Sequence, residues 1–153
     1  AAIGRVILRR LPAWVRARQS NAAYLTRRLS RLASLRIPLP SDHLEHSYYK
    51  YYVHVRPEWL RPDWSRDRIL QALQAEGIPC GTGVCPEIYL ERAFDSPGLR
   101  PGRRLPMARQ LGETSLMLLV HPTLEENDLR DTCLAVEKVL REACADPVAR
   151  RAA

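Results

Sequence analysis

The chain has 153 residues, of which 46% are hydrophobic, so it is long enough for one domain with a substantial core and too short for two ordinary domains. No apolar run approaches the roughly 20 residues of a membrane-spanning helix, and arginines interrupt the N-terminal stretch where a signal peptide has a continuous apolar core. Four cysteines are too few for a disulfide framework in a chain of this size. We therefore expect a soluble, cytoplasmic protein with reduced thiols.

The positive charge is concentrated at one end of the chain. Residues 1–41 hold nine arginines and no acidic residue, so the net charge of +7 is made of +9 from this segment and −2 from the rest. A basic α/β module that binds nucleic acid is therefore one function that the sequence predicts. The aromatic stretch from Tyr48 to Tyr52 lacks the pattern of glycine and basic residues that is typical of strands that stack RNA bases, which weakens this alternative.

A long helix is predicted first, because apolar residues recur at three- and four-residue spacing over about 30 positions. Its apolar face comprises Ile3, Ile7, Leu11, Trp14, Val15, Ala22, Leu25, Leu29 and Leu32. Pro12 predicts a kink, or a start made of two helices, near Leu11, because proline cannot donate its backbone hydrogen bond. Arg18 falls within the apolar stripe, where a guanidinium needs a carboxylate or several carbonyls as partners.

The remaining elements alternate between strand and helix. Residues 35–47, which contain two prolines, predict an irregular connection. Alternation and composition predict strands over residues 48–56, 78–84 and 115–120. Helices are predicted over residues 66–76, 107–111 and 125–143, the first with Ser65 as N-cap and Gly77 as C-cap. The prediction is a single α/β (α+β) domain over residues 1–144, with about three strands, and a frayed basic tail over residues 145–153.

Three groups of residues suggest local chemistry, each with a simpler interpretation. Asp42, His43, Glu45 and His46 could ligate a metal, but no second ligand cluster accompanies them, so a solvated polar loop is favoured. Gly81-Thr82-Gly83 lacks the third glycine and the following helix of a phosphate loop, which favours a plain turn. Cys85 and His121 could form a nucleophile and its base, yet no third orienting residue is evident.

Two motifs carry a resemblance to a known family. The first is Gly77-Ile78, a loop, and then the run Val-Cys-Pro-Glu-Ile-Tyr-Leu-Glu-Arg-Ala-Phe over residues 84–94; the second is Leu-Met-Leu-Leu-Val-His-Pro-Thr-Leu over residues 116–124. Both resemble the C-terminal part of the DegT/DnrJ family of pyridoxal-phosphate (PLP) sugar aminotransferases. Ala1-Ala2-Ile3-Gly4, Arg18 and Tyr24 are similar to the start of the same region, so the resemblance covers roughly residues 1 to 143.

The resemblance implies a fold and a function. The expected fold is the small domain of fold-type I PLP enzymes, a small, mostly antiparallel sheet with helices packed on it. The complete enzyme would be a homodimer that takes an amino group from an amino acid such as glutamate and passes it to a nucleotide-linked keto-sugar, for polysaccharide or glycoside biosynthesis. The PLP-binding lysine of the family lies in a larger N-terminal domain that has no counterpart here, so we expect this chain alone to be inactive.

The resemblance also indicates a substrate site. The segment of the family that corresponds to residues 84–89 lies near the cleft between the two domains and helps to shape the nucleotide-sugar site. Pro86 and Leu90 keep the family pattern, whereas Cys85, Glu87 and Tyr89 depart from it, standing where the family has tyrosine, proline and histidine. We predict that Cys85, Glu87 and Tyr89 bind substrate, with Glu87 and Tyr89 pointing toward the cleft, and we predict no catalytic, PLP-binding or metal-binding residue in this chain. The alternative is that Tyr89 packs in the core.

Overall fold

The computed structural model describes residues 2–83, 85–96 and 98–145. Within them it contains the helices α1 (Ala2–Leu29), α2 (Arg66–Ala75), α3 (Pro106–Thr114) and α4 (Glu126–Ala143). The strands are β1 (Leu35–Arg36), β2 (Tyr51–Val55), β3 (Cys80–Gly81) and β4 (Ser115–Leu118). The predicted α/β fold with a small antiparallel sheet is confirmed.

The sheet has the strand order β1-β2-β4-β3, and all of its pairings are antiparallel. Its central pair joins β2 to β4, with Val53 opposite Leu116 and Tyr51 opposite Leu118. The prediction of about three strands missed β1, because this strand has only two residues and its pairing with β2 replaces the predicted irregular connection there. The predicted strand over residues 78–84 is observed only as Cys80–Gly81, and Val84 lies outside the described residues.

One face of the sheet carries the core. Tyr51, Val53 and Val55 of β2 are buried, and residues Leu25, Leu29, Ile69, Leu73, Leu129, Val136 and Leu140 of α1, α2 and α4 pack in the same cluster. The alternation in the sequence therefore correctly predicts which side chains of β2 are buried, because successive side chains in a strand point to opposite faces. Tyr51 is 2% exposed, and its hydroxyl lies 2.8 Å from the Thr26 hydroxyl. Burial raises the pKa of Tyr51 to about 12.

The first helix differs from the prediction in two respects. It is a single helix through Pro12, so the predicted start made of two helices is wrong. Proline removes one backbone hydrogen bond, to the carbonyl of Leu8, and Leu8 is 65% exposed, so water can solvate that carbonyl. The predicted apolar face is buried only in the C-terminal part of the helix, at Ala22, Leu25 and Leu29.

The helix caps follow the sequence. The Ser65 hydroxyl accepts a hydrogen bond from the Arg68 backbone N–H at 3.2 Å, and Gly77 has a φ of +82°, which favours glycine after the end of α2. The Ala145 backbone N–H donates to the Trp59 carbonyl at 3.2 Å, and the rest of the predicted tail, residues 146–153, lies outside the described residues. Among the described helices, none is both long and apolar enough to cross a membrane.

Candidate functional site

An open, largely apolar pocket of about 630 Å³ lies between the sheet and α3. Tyr52 and His54 line it from β2, on the face of the strand that points away from the core. Met107 and Leu111 line it from α3, and Pro86 contributes to its wall. The loop that the sequence predicted as a substrate site therefore borders this pocket. A pocket of about 890 Å³ elsewhere in the described structure contains none of the predicted substrate residues.

His54 is a polar group in this apolar pocket. Its ring Nδ1 lies 3.3 Å from the Thr114 hydroxyl at the end of α3. Burial lowers the pKa of His54, and the positive charge of Arg36 lowers it further. Burial and the nearby charge thus both favour a neutral ring, which can accept as well as donate a hydrogen bond.

The segment from Cys85 to Tyr89, which we call the site loop, is seated directly on α3. A Cβ atom added at Gly112 would come within 2.3 Å of the Pro86 ring, far inside an ordinary contact. Only a glycine lets the loop approach the helix this closely. α3 is in turn held to the body by Arg66, whose guanidinium donates to the carbonyls of Gly112 and Ser115 at 2.9 and 2.8 Å.

A network of polar side chains makes a second connection between the site loop and α3. Glu87 is 8% exposed, and its carboxylate accepts hydrogen bonds from Arg104 on both oxygens and from the Tyr89 hydroxyl on one. The Tyr89 hydroxyl accepts in turn from the backbone N–H of Leu105 at 2.9 Å. Leu105 is the residue immediately before α3, so the network fixes the loop to the start of that helix.

The pKa values follow from these contacts. The hydrogen bonds from Arg104, and then the one from Tyr89, lower the pKa of Glu87 to about 2. Burial, and then the Glu87 carboxylate, raise the pKa of Tyr89, while the bond to Glu87 raises the pKa of Arg104. At neutral pH the network therefore contains a carboxylate, a guanidinium and a neutral phenol, which is the arrangement its hydrogen bonds require.

The structure defines the surroundings of each predicted substrate residue. Cys85 is exposed, and its thiol donates to a Glu91 carboxylate oxygen at 3.2 Å. Tyr89 is half-buried outside the hydrophobic core, and the neighbouring Ile88 is 61% exposed, so the alternative of core packing is wrong. Glu87 faces Arg104 and Tyr89. That these residues bind substrate stays a prediction.

The structure does not bring Cys85 and His121 together as nucleophile and base. The hydrogen bond to Glu91 raises the pKa of Cys85, which favours the unreactive thiol over the thiolate. The His121 ring Nδ1 lies 2.7 Å from the Thr123 hydroxyl. Each side chain is thus engaged with another residue, Cys85 with Glu91 and His121 with Thr123.

The other candidate groups have structural roles. No group of three or more potential metal ligands occurs among the described residues, and the exposed His46 ring instead accepts from the backbone N–H of Tyr48 at 3.0 Å. Gly83 has a φ of +96°, and a Cβ there would come within 2.3 Å of the Tyr52 ring. Glycine is therefore required at this turn, which packs against the Tyr52 ring in the pocket wall. Arg18 donates to the carbonyls of Tyr48 and Tyr49 at 3.4 and 3.0 Å, as expected for a guanidinium in the apolar stripe.

The sequence reasoning missed two residues of the site. His54 could have been found, because its position in the alternating strand places it with Tyr52 on the face away from the core. Arg104 had no such signal, because it lies in an irregular segment and its partner Glu87 is 17 residues away.

Comparison with known proteins gives one result for nearly the whole chain. The profile of the DegT/DnrJ/EryC1/StrS aminotransferase family matches residues 1–137. A curated relative, the dTDP-4-dehydro-2,3,6-trideoxy-D-glucose 4-aminotransferase of Saccharopolyspora spinosa, is 30% identical over 142 residues, which are 92% of this chain and 34% of the relative. These matches give no support to the alternative of a nucleic-acid-binding module.

Solved structures match the fold over a similar range. An aminotransferase from Psychrobacter cryohalolentis is 41% identical, with a TM-score of 0.87 over 93% of this chain and 38% of that one. The aminotransferase TlmJ from Streptoalloteichus hindustanus is 31% identical, with a TM-score of 0.76 over 92% of this chain and 35% of that one. The chain thus spans only about a third of the length of these relatives.

Proposed function

Because the chain belongs to the DegT/DnrJ/EryC1/StrS aminotransferase family, we propose that it is the small C-terminal domain of a PLP-dependent aminotransferase that acts on a nucleotide-linked keto-sugar. The observation that carries the proposal is the family match over residues 1–137, supported by the fold shared with the aminotransferase from Psychrobacter cryohalolentis. The reaction would serve the biosynthesis of polysaccharides or glycosides.

The described residues do not fit a PLP site. PLP is bound covalently by a lysine, which holds its aldehyde, and the cofactor stabilises the carbanion that amino-group transfer requires. Lys138 is exposed and donates to both carboxylate oxygens of Glu76 at 2.8 Å, and Lys50 lies beside the exposed Tyr49 ring. We place the cofactor in the larger part of the enzyme, which in these relatives is about two thirds of the chain.

In this proposal the chain contributes a wall of the substrate cleft. The site loop and the neighbouring pocket are its best candidates, because directional polar groups and an apolar surface lie side by side there. The exposed Cys85 could contact substrate directly. The Tyr89 hydroxyl already donates a hydrogen bond to Glu87. These two residues would therefore either exchange this hydrogen bond for one to the sugar, or hold in place the loop that contacts the sugar. Sugar hydroxyls suit such groups, because each can donate and accept.

Transamination by the full-length protein that carries this chain tests the proposal. The protein is supplied with PLP, glutamate and dTDP-4-dehydro-2,3,6-trideoxy-D-glucose, the acceptor suggested by the curated relative, and the amino-sugar product is measured by mass spectrometry. We expect Tyr89→Phe and Glu87→Ala each to lower turnover by about tenfold or more, and Tyr89→Phe to do so with little loss of stability. Asp131→Ala is the matched control, because Asp131 on α4 makes an exposed ion pair with Arg130.

The outcomes test the activity, the role of the loop and the placement of the cofactor separately. No amino-sugar product with any nucleotide-linked keto-sugar would refute the activity. Product formation with unchanged kinetics in both loop variants would show that the loop is scaffold. We also expect no specific, borohydride-stable PLP adduct on the 153-residue chain alone, and stoichiometric labelling of Lys50 or Lys138 would contradict the placement of the cofactor.

A further inference from the structure

The pocket of about 890 Å³ lies where α1 and α4 end, and the proposed function does not use it. Leu32 lines it just after α1, Leu140 lines it from α4, and Trp59 lines it from the short turn after β2. Its volume falls within the range of small-molecule sites, about 300–1,000 Å³. No residue of the site loop or of α3 contributes to it, so it is separate from the pocket beside that loop.

The inner wall of this pocket is apolar. Leu140 is buried in the hydrophobic core, and Leu32 is half-buried and packs against that core. Trp59 is also half-buried, so its indole is shared between the domain and the pocket. Aromatic and aliphatic side chains together form a surface on which a flat apolar body packs well.

Three arginines line the same pocket. Arg31 and Arg141 are exposed, and neither forms an ion pair with a carboxylate of the described residues. Arg61 donates to the Glu142 carbonyl at 3.2 Å, and its Nε lies 3.8 Å from a carboxylate oxygen of Asp63. Two guanidinium groups at this pocket therefore have their donors available to a ligand.

The nearby negative charges do not balance these arginines. Glu137 is the one carboxylate among the described residues of the lining, and both of its oxygens accept hydrogen bonds from Arg28, at 2.9 and 3.1 Å. Asp63 is shared with Arg68 at 2.8 Å. The C-terminal ends of α1 and α4 add partial charges of about −0.5 each. Three guanidinium groups outweigh these partial charges, so the pocket has an excess of about two positive charges.

We propose that this pocket, which we call the arginine pocket, binds a small organic phosphate with a flat apolar body, the chemical class to which nucleoside phosphates belong. The apolar body packs on Trp59 and Leu140, and the phosphate receives hydrogen bonds from Arg31 and Arg141. Guanidinium groups suit phosphate, because their donors form a fork that matches its oxygens. Water and salt screen exposed charges, so tight binding needs the apolar wall as well as the arginines. The inference does not depend on the proposed transamination.

Calorimetric titration of the 153-residue chain with 1-naphthyl phosphate tests the ligand class. This probe joins a flat apolar ring system to a phosphate group, and we expect a Kd of about 1 mM or lower. Inorganic phosphate and 1-naphthol, which each carry one half of the probe, should bind at least about tenfold more weakly, since each lacks one set of contacts. Equal affinity for inorganic phosphate would show only a general attraction of anions and would overturn the proposal.

Substitutions identify the groups that bind the probe. Arg31→Gln and Arg141→Gln should each weaken binding of 1-naphthyl phosphate about fivefold or more, because each removes charge-assisted hydrogen bonds to the phosphate. Arg16→Gln is the matched control, because it removes the same charge from an exposed arginine of α1 that does not line the pocket, and it should change the Kd less than about twofold. Equal losses in all three variants would mean that only the net charge matters, which contradicts the proposal.

The position of the bound probe is tested independently by NMR. Saturating 1-naphthyl phosphate should shift the backbone amides of Ala33 and Ser34, which line the arginine pocket, and leave that of Leu111 on α3 nearly unchanged. Shifts at Leu111 without shifts at Ser34 would place the probe beside the site loop and overturn the assignment. A chain that ends at Ala145 should bind the probe with the same affinity, whereas loss of binding would transfer the site to residues 146–153 and refute the pocket.

Discussion

The substitution Gly112→Ala has two opposing effects: it favours the helical conformation of α3, and it disturbs the packing of the site loop on that helix. Gly112 lies within α3, where alanine is favoured over glycine by about 0.8–1 kcal/mol. The new methyl group, however, would lie 2.3 Å from the Pro86 Cγ atom and 2.8 Å from its Cβ atom. Carbon atoms in ordinary contact are about 3.5–4.0 Å apart, so one of the two segments must move by more than about 1 Å.

The loop is the segment that should move. Pro86 is exposed and can shift. The end of α3 is held more firmly, because Arg66, whose side chain is only 14% exposed, donates hydrogen bonds to the carbonyls of Gly112 and Ser115. Overpacking a rigid core costs about 1–3 kcal/mol, and a loop that can shift recovers part of this cost. We therefore expect a change in the free energy of unfolding between a gain of about 0.5 and a loss of about 2 kcal/mol. The substitution should therefore displace the loop while changing the free energy of unfolding only modestly.

The assay follows the loop and the global stability separately. Urea denaturation gives the free energy of unfolding, and hydrogen exchange of the Leu105 amide reports the bond to the Tyr89 hydroxyl. We expect faster exchange at Leu105 in Gly112→Ala, and a fall in the turnover of the full-length enzyme. Gly4→Ala is the control, because the space around Gly4 in α1 is open, and it should at most stabilise, by up to about 1 kcal/mol.

A specific outcome would refute this reasoning. If Gly112→Ala stabilises the protein by the full helix-propensity difference and leaves Leu105 exchange unchanged, then Pro86 does not pack on Gly112. The seating of the loop on α3 would then be wrong. Unchanged turnover despite a displaced loop would instead remove the loop from the substrate site.

Three further changes have defined outcomes. Arg104 holds the pKa of Glu87 at about 2, below its ordinary 4.5, so the stability that this pair adds should be lost as the pH falls from 4.5 toward 2. Glu87→Gln should remove this part of the pH dependence of the free energy of unfolding, measured with urea. Burial lowers the pKa of His54 from 6.5, so the unfolded chain takes up that proton first and stability falls below pH 6.5; His54→Gln should flatten this part of the curve. Leu25→Ala at a fully buried site should cost about 2–5 kcal/mol by urea denaturation, against less than about 0.5 for Leu134→Ala on the surface.

The elements that the sequence predicted well are those with local causes. α2 begins after Ser65, whose hydroxyl caps it, and ends before Gly77, whose positive φ suits glycine. β2 is long enough for alternation to mark its buried face. The two-residue strands β1 and β3 are too short for any periodicity, so only their pairing with β2 and β4 defines them.

The site was predictable only in part, and for a similar reason. The motif around Pro86 located the loop, because a family pattern is read along the sequence. The burial of Glu87 depends on Arg104, which lies across an irregular segment, and no local pattern indicates that pair. Similarly, the periodic face of α1 predicted which residues are apolar, but not that the sheet and α4 cover only those near Leu25 and Leu29.

The departures of this loop from the family pattern depend on one another. A carboxylate at position 87, where the family has proline, is buried, and a buried carboxylate without partners is strongly disfavoured. Arg104 neutralises it, and Tyr89, where the family has histidine, donates to it and ties it to Leu105. Arg104 and Leu105 directly precede α3, and Arg66 fixes the other end of that helix, so the shape of the loop is set from the body of the domain. Replacing Glu87 or Arg104 alone would thus leave the other charge without its partner.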